Sequence, residues 1–219
     1  MYIPKHNEET DLRVLHGLIR ACPLGAWVTL GAGVTPGDGE LLANHIPFLL
    51  DAARGEFGTL VAHVARANPV WRSFSGSIPS VVIFQGPQTY ITPSWYAGKA
   101  THGREVPTWN YAVVHAHGIP RVIEDVDWLL AHVTQLVDTH EAGEAVPWKV
   151  SDAPAEFIDK MLGGIVGVEI PIARITGKWK VSQNRSDLDK LGVVEGLTKR
   201  GNAESVQMSA LVEEYRLKG

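Results

Sequence analysis

Gly58-Thr59-Leu60-Val61-Ala62-His63-Val64-Ala65-Arg66-Ala67-Asn68-Pro69-Val70-Trp71 reads as a strand that runs directly into a polar, aromatic turn. Phe57 to Ala65 is a short apolar run rich in β-compatible residues, and a short helix is expected near Asn68-Pro69, where proline is tolerated in the first turn. Similar short runs lie on either side of it. Upstream are Leu24 to Leu30 and Glu40 to Leu50, separated by the Gly/Pro-rich stretch Gly31 to Gly39, which reads as a hairpin loop. Downstream, Ser80 to Gln85 and Gln88 to Thr92 flank Gly86-Pro87, which reads as a tight turn. Pro107 to His117, Arg121-Val122-Ile123 and Ile165 to Ile172 follow as further strands.

Helical periodicity is confined to a few places. Leu12, Leu15, Leu18 and Ile19 recur at helical spacing between a cap at Thr10 or Asp11 and the stop at Pro23. The period changes to helical again over 125–140, with Val126, Leu129, Leu130, Val133, Leu136 and Val137 on one side. Shorter helices are expected over 154–162 and in a C-terminal tail over 204–217. Many antiparallel strands with helices inserted late predict a mainly β, α+β chain, a barrel decorated by helices rather than a parallel sheet. No repeat, low-complexity tract or linker interrupts the order, so residues 1–219 read as one domain.

The bulk composition excludes several classes. Hydrophobic residues are 45% and charged residues 20%, as in an ordinary globular protein. The formal charge of −4 gives no global attraction to nucleic acid or anionic membrane. Cys22 is the only cysteine, so neither an internal disulfide nor a cysteine zinc cluster can form. No apolar run approaches the roughly 18 residues that cross a bilayer, and the N-terminus lacks a signal peptide's basic and apolar parts. A cytoplasmic location is the expectation.

Four polar and aromatic clusters exceed what core packing requires. They are ANHIPF (43–48), His63 to Trp71, Trp95-Tyr96 together with PTWNY (107–111), and GKWKVSQN (177–184). A heteroaromatic ligand bearing a phosphate calls for this mixture: rings to cover its faces, amides and imidazoles to read its edge, a cation for the phosphate. Each cluster taken alone is also consistent with buried aromatics and satisfied polar neighbours. His115 and His117 share one side of a strand, but no HExxH or carboxylate at ligand spacing accompanies them, so no metal site is expected. No GxGxxG follows a strand, no GxxxxGK[ST] appears, and no serine lies in a GxSxG elbow.

In the order MYIP, GTLVAHVARANPVW, FQGPQTYITPSWY, VPTWNY and GKWKVSQN, the chain resembles the PaiB-type FMN-binding negative transcriptional regulator family, from Met1 to about Leu197. The resemblance implies an antiparallel split β-barrel of the FMN-binding type, shared with pyridoxamine phosphate oxidases and flavin reductase-like proteins. It implies a homodimer with FMN touched by both chains. Asn44, His45 and Ile46 would line the flavin ring, while His63, Val64, Arg66 and Asn68 would approach the ribityl chain and phosphate. Arg66 is the phosphate candidate, since a guanidinium grips two oxygens. Thr108, Trp109, Asn110, Lys178, Ser182, Gln183 and Asn184 would come from the other subunit. The chain lacks the Arg-rich and Ser-Arg-Lys phosphate clamp of the oxidase branch, so tight phosphate binding is not implied.

Two functions follow from the resemblance. One is a flavin-binding regulator. Direct DNA binding is not expected, because no helix-turn-helix is visible, the net charge is negative, and Lys199-Arg200 is a small basic patch. The other is an FMN-dependent oxidoreductase, in which the cofactor carries the chemistry and the protein positions it. Related split barrels include haem-degrading proteins, which makes haem near His45 or His63 a further alternative.

Overall fold

The computed structural model describes residues 1–31, 39–74 and 76–218. In chain order, the first half contains β1 (Glu8–Glu9), α1 (Leu12–Ala21), β2 (Leu24–Leu30), β3 (Leu41–Pro47), β4 (Leu49–Asp51), β5 (Thr59–Ala65), α2 (Val70–Ser73), β6 (Ser80–Ile91) and α3 (Ala97–His102). The second half contains β7 (Thr108–Gly118), β8 (Arg121–Ile123), α4 (Val126–Glu141), α5 (Ala155–Gly163), β9 (Ile165–Pro171), β10 (Arg174–Lys180), α6 (Asp187–Arg200) and α7 (Ala203–Lys218). The hairpin loop read over Gly31 to Gly39 falls on residues that, apart from its two ends, lie outside the described ones.

Two compact units emerge. The first comprises residues 1–22, 84–115 and 176–219, the second residues 23–83 and 116–175. Strands β6, β7 and β10 each contribute residues to both.

In the first unit the strand order is β1-β10-β7-β6, with Glu8 opposite Lys178 and Glu9 opposite Gly177 in antiparallel register. Helix α1 starts where the Asp11 carboxylate accepts the Arg13 backbone N–H at 2.9 Å, and it buries Leu15, Leu18 and Ile19. It lies directly on β10: a Cβ on Gly177 would meet Leu15 at 2.2 Å. Helix α6 is capped by Ser186, whose hydroxyl accepts the Asp189 N–H, and ends at Gly201 with φ of 70°, a left-handed stop that suits glycine. Helix α7 then packs along it, burying Met208 and Val212 with Val193 and Leu197.

In the second unit β3-β2-β6 form one sheet, from Leu24 opposite Pro47 to Leu30 opposite Leu41, with Trp27 opposite both Asn44 and Val82. A second antiparallel sheet runs β4-β5-β9-β8. Strand β5 is an inner strand buried on both faces, Leu60, Ala62 and Val64 on one and Thr59 and Val61 on the other, which explains its unbroken apolar run. The Trp27 indole N–H donates to Ser80 Oγ at 2.9 Å, so the largest buried side chain here leaves no polar atom unmet.

Two sequence expectations change. Gly86-Pro87 is not a turn, since β6 continues through it. Buried positions switch from Ser80, Val82 and Phe84 to Thr89 and Ile91, so the strand exchanges its faces there. Gly86 sits at the exchange, packed so closely that a Cβ would meet Leu18 at 2.8 Å. The run Glu40 to Leu50 divides into β3 and β4, which belong to different sheets. Between them the buried Phe48 donates its backbone N–H to Pro23 O.

Candidate functional site

The site residues expected from the sequence fall into two groups, one in each unit. In the second unit, Asn44, His45 and Ile46 stand on β3, with Asn44 and Ile46 turned to one face and the exposed His45 to the other. Asn44 Oδ1 accepts from Asn68 Nδ2 at 2.9 Å, and Asn68 Oδ1 caps the Val70 N–H at 3.0 Å. Trp71 Nε1 donates to the Arg66 carbonyl at 3.0 Å, and the Arg72 guanidinium lies over the Trp71 ring at 4.2 Å. The structure therefore joins Asn44 to Asn68 and Arg66 to Trp71 at the end of β5.

Arg66 itself is engaged. Its Nη1 lies 2.6 Å from the Glu124 carboxylate, Nε donates to Gly163 O at 2.9 Å, and Nη2 donates to Ile165 O at 3.1 Å. These bonds fasten the end of β5 to the start of β9, and Glu124 offsets the guanidinium charge.

His63 and Val64 lie on β5 but lead elsewhere. Val64 is core, opposite Val166. His63 Nδ1 is 3.0 Å from His132 Nε2 on α4, and the His132 ring stacks on Trp128 at 5.3 Å. Trp128 Nε1 donates to Glu169 Oε1 at 3.2 Å, and Glu169 takes two bonds from Arg54 at 2.6 and 2.8 Å. The Arg54 guanidinium holds the Glu169 carboxyl below the usual range, while burial and the neighbouring His63 push His132 down to about 4. The sequence reading missed Trp128, His132, Glu169 and Arg54. One signal was available: Trp128 and His132 are four apart on one helix face.

In the first unit, Thr108, Trp109 and Asn110 begin β7, and Lys178 lies on the neighbouring β10. Ser182, Gln183 and the exposed Asn184 form the turn after it. Gln183 closes that turn with its own amide: Oε1 accepts the Val181 N–H at 2.8 Å and Nε2 donates to Trp179 O at 2.5 Å. Ser182 takes a φ of 68°, unusual for a residue with a side chain, and its Oγ accepts from Asn110 Nδ2 at 2.9 Å. Asn110 is 1% exposed, and its Oδ1 has no hydrogen-bond partner among the described residues.

Trp109 is 48% exposed, donates to Gln88 Oε1 at 2.7 Å, and meets Tyr90 edge-on with centroids 6.3 Å apart. Lys178 donates to Tyr2 O at 3.1 Å, with the Tyr2 and Tyr111 rings 5.7 and 5.4 Å from Nζ. Lys180, which the sequence reading passed over inside its own motif, donates to Thr108 Oγ1 and to Trp109 O. Burial, together with Lys178 and Arg185, lowers its pKa despite an opposing contribution from Tyr111. Amide, indole, hydroxyl and ammonium thus lie along the β7–β10 pair, with the exposed Trp109 and the buried Asn110 on opposite faces of β7; together they are the donor types that a heteroaromatic phosphate ester needs.

Among the described residues no three His, Cys, Asp or Glu side chains are grouped to hold a metal ion, and no helix is long and apolar enough to cross a membrane.

The chain is 31% identical over 214 residues to the protease synthase and sporulation protein PAI 2 of Bacillus subtilis, covering 98% of this chain and 97% of that one. It is 36% identical over 169 residues to an uncharacterized protein of Saccharomyces cerevisiae, covering 68% of this chain and 98% of that protein. Among solved structures it matches the FAD and heme binding protein from Mycobacterium smegmatis at a TM-score of 0.54 and 15% identity, covering 80% of this chain and 73% of that one. The flavocytochrome Anf3 from Azotobacter vinelandii matches at 0.55 and 13%, covering 81% and 72%. These two likenesses speak to the fold, an α+β antiparallel split barrel. The family described as "Putative FMN-binding domain" matches over residues 1–174, and the chain belongs to it, the PaiB-type family that its motifs resemble.

Proposed function

We propose that two copies of this flavin-binding chain hold FMN between them, the β3–β5 group coming from one copy and the β7–β10 group from the other. The resulting dimer is a regulator that acts through its flavin or a protein partner rather than by reading DNA. The observation that carries the shared site is Asn110. A carboxamide 1% exposed, with an oxygen that finds no donor among the described residues, is costly unless something else supplies one. The half-exposed Trp109 beside it in sequence offers a ring face. A flavin carries donors that suit an amide, a plane that suits an indole and a phosphate that suits an ammonium, so the chemistry of these residues fits the group. FMN, once bound, supplies the electron chemistry, and the chain's part is to hold and orient it. The regulatory reading rests on the family and on the likeness to PAI 2.

The test is titration of purified protein with FMN, followed by visible absorption and sedimentation. Equal numbers of flavin and chain, in a particle of twice the chain mass, are expected. A monomer that binds FMN with the same affinity would sink the shared site. Asn110→Leu should weaken FMN and riboflavin alike, because both carry the ring and ribityl donors.

A further inference from the structure

We propose that Lys178 and Lys180 form an anion site on one face of β10 and β7, and that the phosphate of FMN is the anion it takes. The identity of the anion rests on the flavin reading above, whereas the site rests on the geometry alone.

Residues two apart on a strand share a face, so the two ammonium groups rise side by side from β10. Lys178 is 8% exposed, and burial lowers the pKa of Lys180. Their partners are all neutral: the Tyr2 carbonyl and two tyrosine rings for Lys178, the Thr108 hydroxyl and the Trp109 carbonyl for Lys180. Among the described residues neither has a carboxylate within ion-pair distance. Glu8 lies opposite Lys178 in the strand register, but it is exposed and does not reach. Arg185, the third nearby cation, is already paired with Glu105 at 2.5 Å.

Two like charges, one buried and one half-buried, without a counter-charge are unfavourable, and an anion from outside the chain relieves this. The free donors match a phosphate. An ammonium has three N–H groups; Lys178 uses one of them and Lys180 uses two, leaving two and one. A terminal phosphate presents three oxygens. Thr176 is on the same face, two residues before Lys178, and its buried Oγ1 also lacks a partner among the described residues. Arg66 is a poorer anchor than its sequence context implies, because Glu124 already neutralises it.

The experiment compares FMN and riboflavin, which differ only in the phosphate, by fluorescence titration of the full chain and its Lys180→Met and Lys180→Arg variants. In the unaltered protein FMN should bind more tightly. Lys180→Met should weaken FMN by about tenfold to a hundredfold, the size of a lost charge-assisted bond, and leave riboflavin unchanged. Lys180→Arg should keep most of the preference. Equal losses for the two ligands, or none, would overturn the assignment while leaving flavin binding intact. If the unaltered protein takes up neither flavin, the flavin reading fails, and inorganic phosphate decides the site. A phosphate-dependent rise in melting temperature that Lys180→Met abolishes supports the site, and its absence overturns it.

Discussion

His63 Nδ1 and His132 Nε2 lie 3.0 Å apart, so at most one of the two facing nitrogens carries a proton while both rings are neutral. Protonating either ring fully would place a positive charge in a buried place where the nearest polar neighbour is another imidazole. Burial therefore pushes both pKa values down, His132 to about 4.

The consequence for stability has a definite sign. An unfolded chain binds a proton at His132 below about pH 6.5, where the folded chain does not. Stability present above that pH is therefore lost as pH falls toward 4, by at most about 3 kcal/mol from this residue, with His63 adding in the same direction. Urea unfolding at about pH 7.5, 6 and 5 should show falling midpoints. In His132→Phe the midpoint should be lower at pH 7.5 but flatter across the series. Parallel pH dependences in the two proteins would remove the pair as the cause.

Gly167 sits opposite His63 on β9, and a Cβ there would fall 2.3 Å from Trp128 Cζ3. Gly167→Ala should drive the indole off its bond to Glu169 and out of its stack on His132. A loss of about 1–3 kcal/mol is expected, as for other overpacked cores. The check is a double-mutant cycle: combined with Trp128→Leu, the alanine should cost much less than it does alone, because the clashing ring is gone. Additive losses would place the strain elsewhere.

Arg66→Ala should behave as a fold variant. It removes an ion pair to Glu124 and two bonds to main-chain carbonyls near the start of β9. The group is about a third exposed, so a modest destabilisation of about 1–2 kcal/mol is expected. The ratio of FMN to riboflavin affinity should remain as in the unaltered protein. A selective loss of FMN would return the phosphate to Arg66 and remove it from the β10 lysines.

The strands were legible because alternation and short apolar runs are local. β2, β5, β7 and β9 form within a residue or two of their sequence bounds. What local pattern hides is the switching of faces. Gly86-Pro87 carries the composition of a turn, and only the place of β6 between β7 and β2 shows that the strand continues. Helix α6 was missed because Gly192 and Gly196 weaken its propensity. Both glycines exist to admit Trp95, whose ring and backbone lie 2.0–2.3 Å from where their Cβ atoms would be. The site was half legible. The motif GKWKVSQN marked β10 and its turn, yet the unbalanced charge of Lys180 depends on which carboxylates fail to reach it, which sequence spacing does not reveal.

Helices α6 and α7 form a hairpin joined by Gly201-Asn202, two packed helices of the kind that DNA-reading pairs use. Its charge argues against that use. Within Ala203–Lys218, Glu204, Glu213 and Glu214 outnumber Arg216 and Lys218, and both cations are bonded to the helix's own glutamates. Arg200, at the end of α6, lies over the Trp95 ring and donates to Thr89 and the Tyr90 carbonyl. A groove reader needs free cations on one face to meet phosphates before it can read bases. The protein with and without FMN should therefore bind a promoter duplex weakly at about physiological salt, no better than a scrambled duplex, and release both as salt is raised. A fluorescence-anisotropy titration of the two duplexes decides the matter. Nanomolar affinity with about a thousandfold preference for the promoter is the range of direct repressors, and finding it would require a recognition surface other than this hairpin.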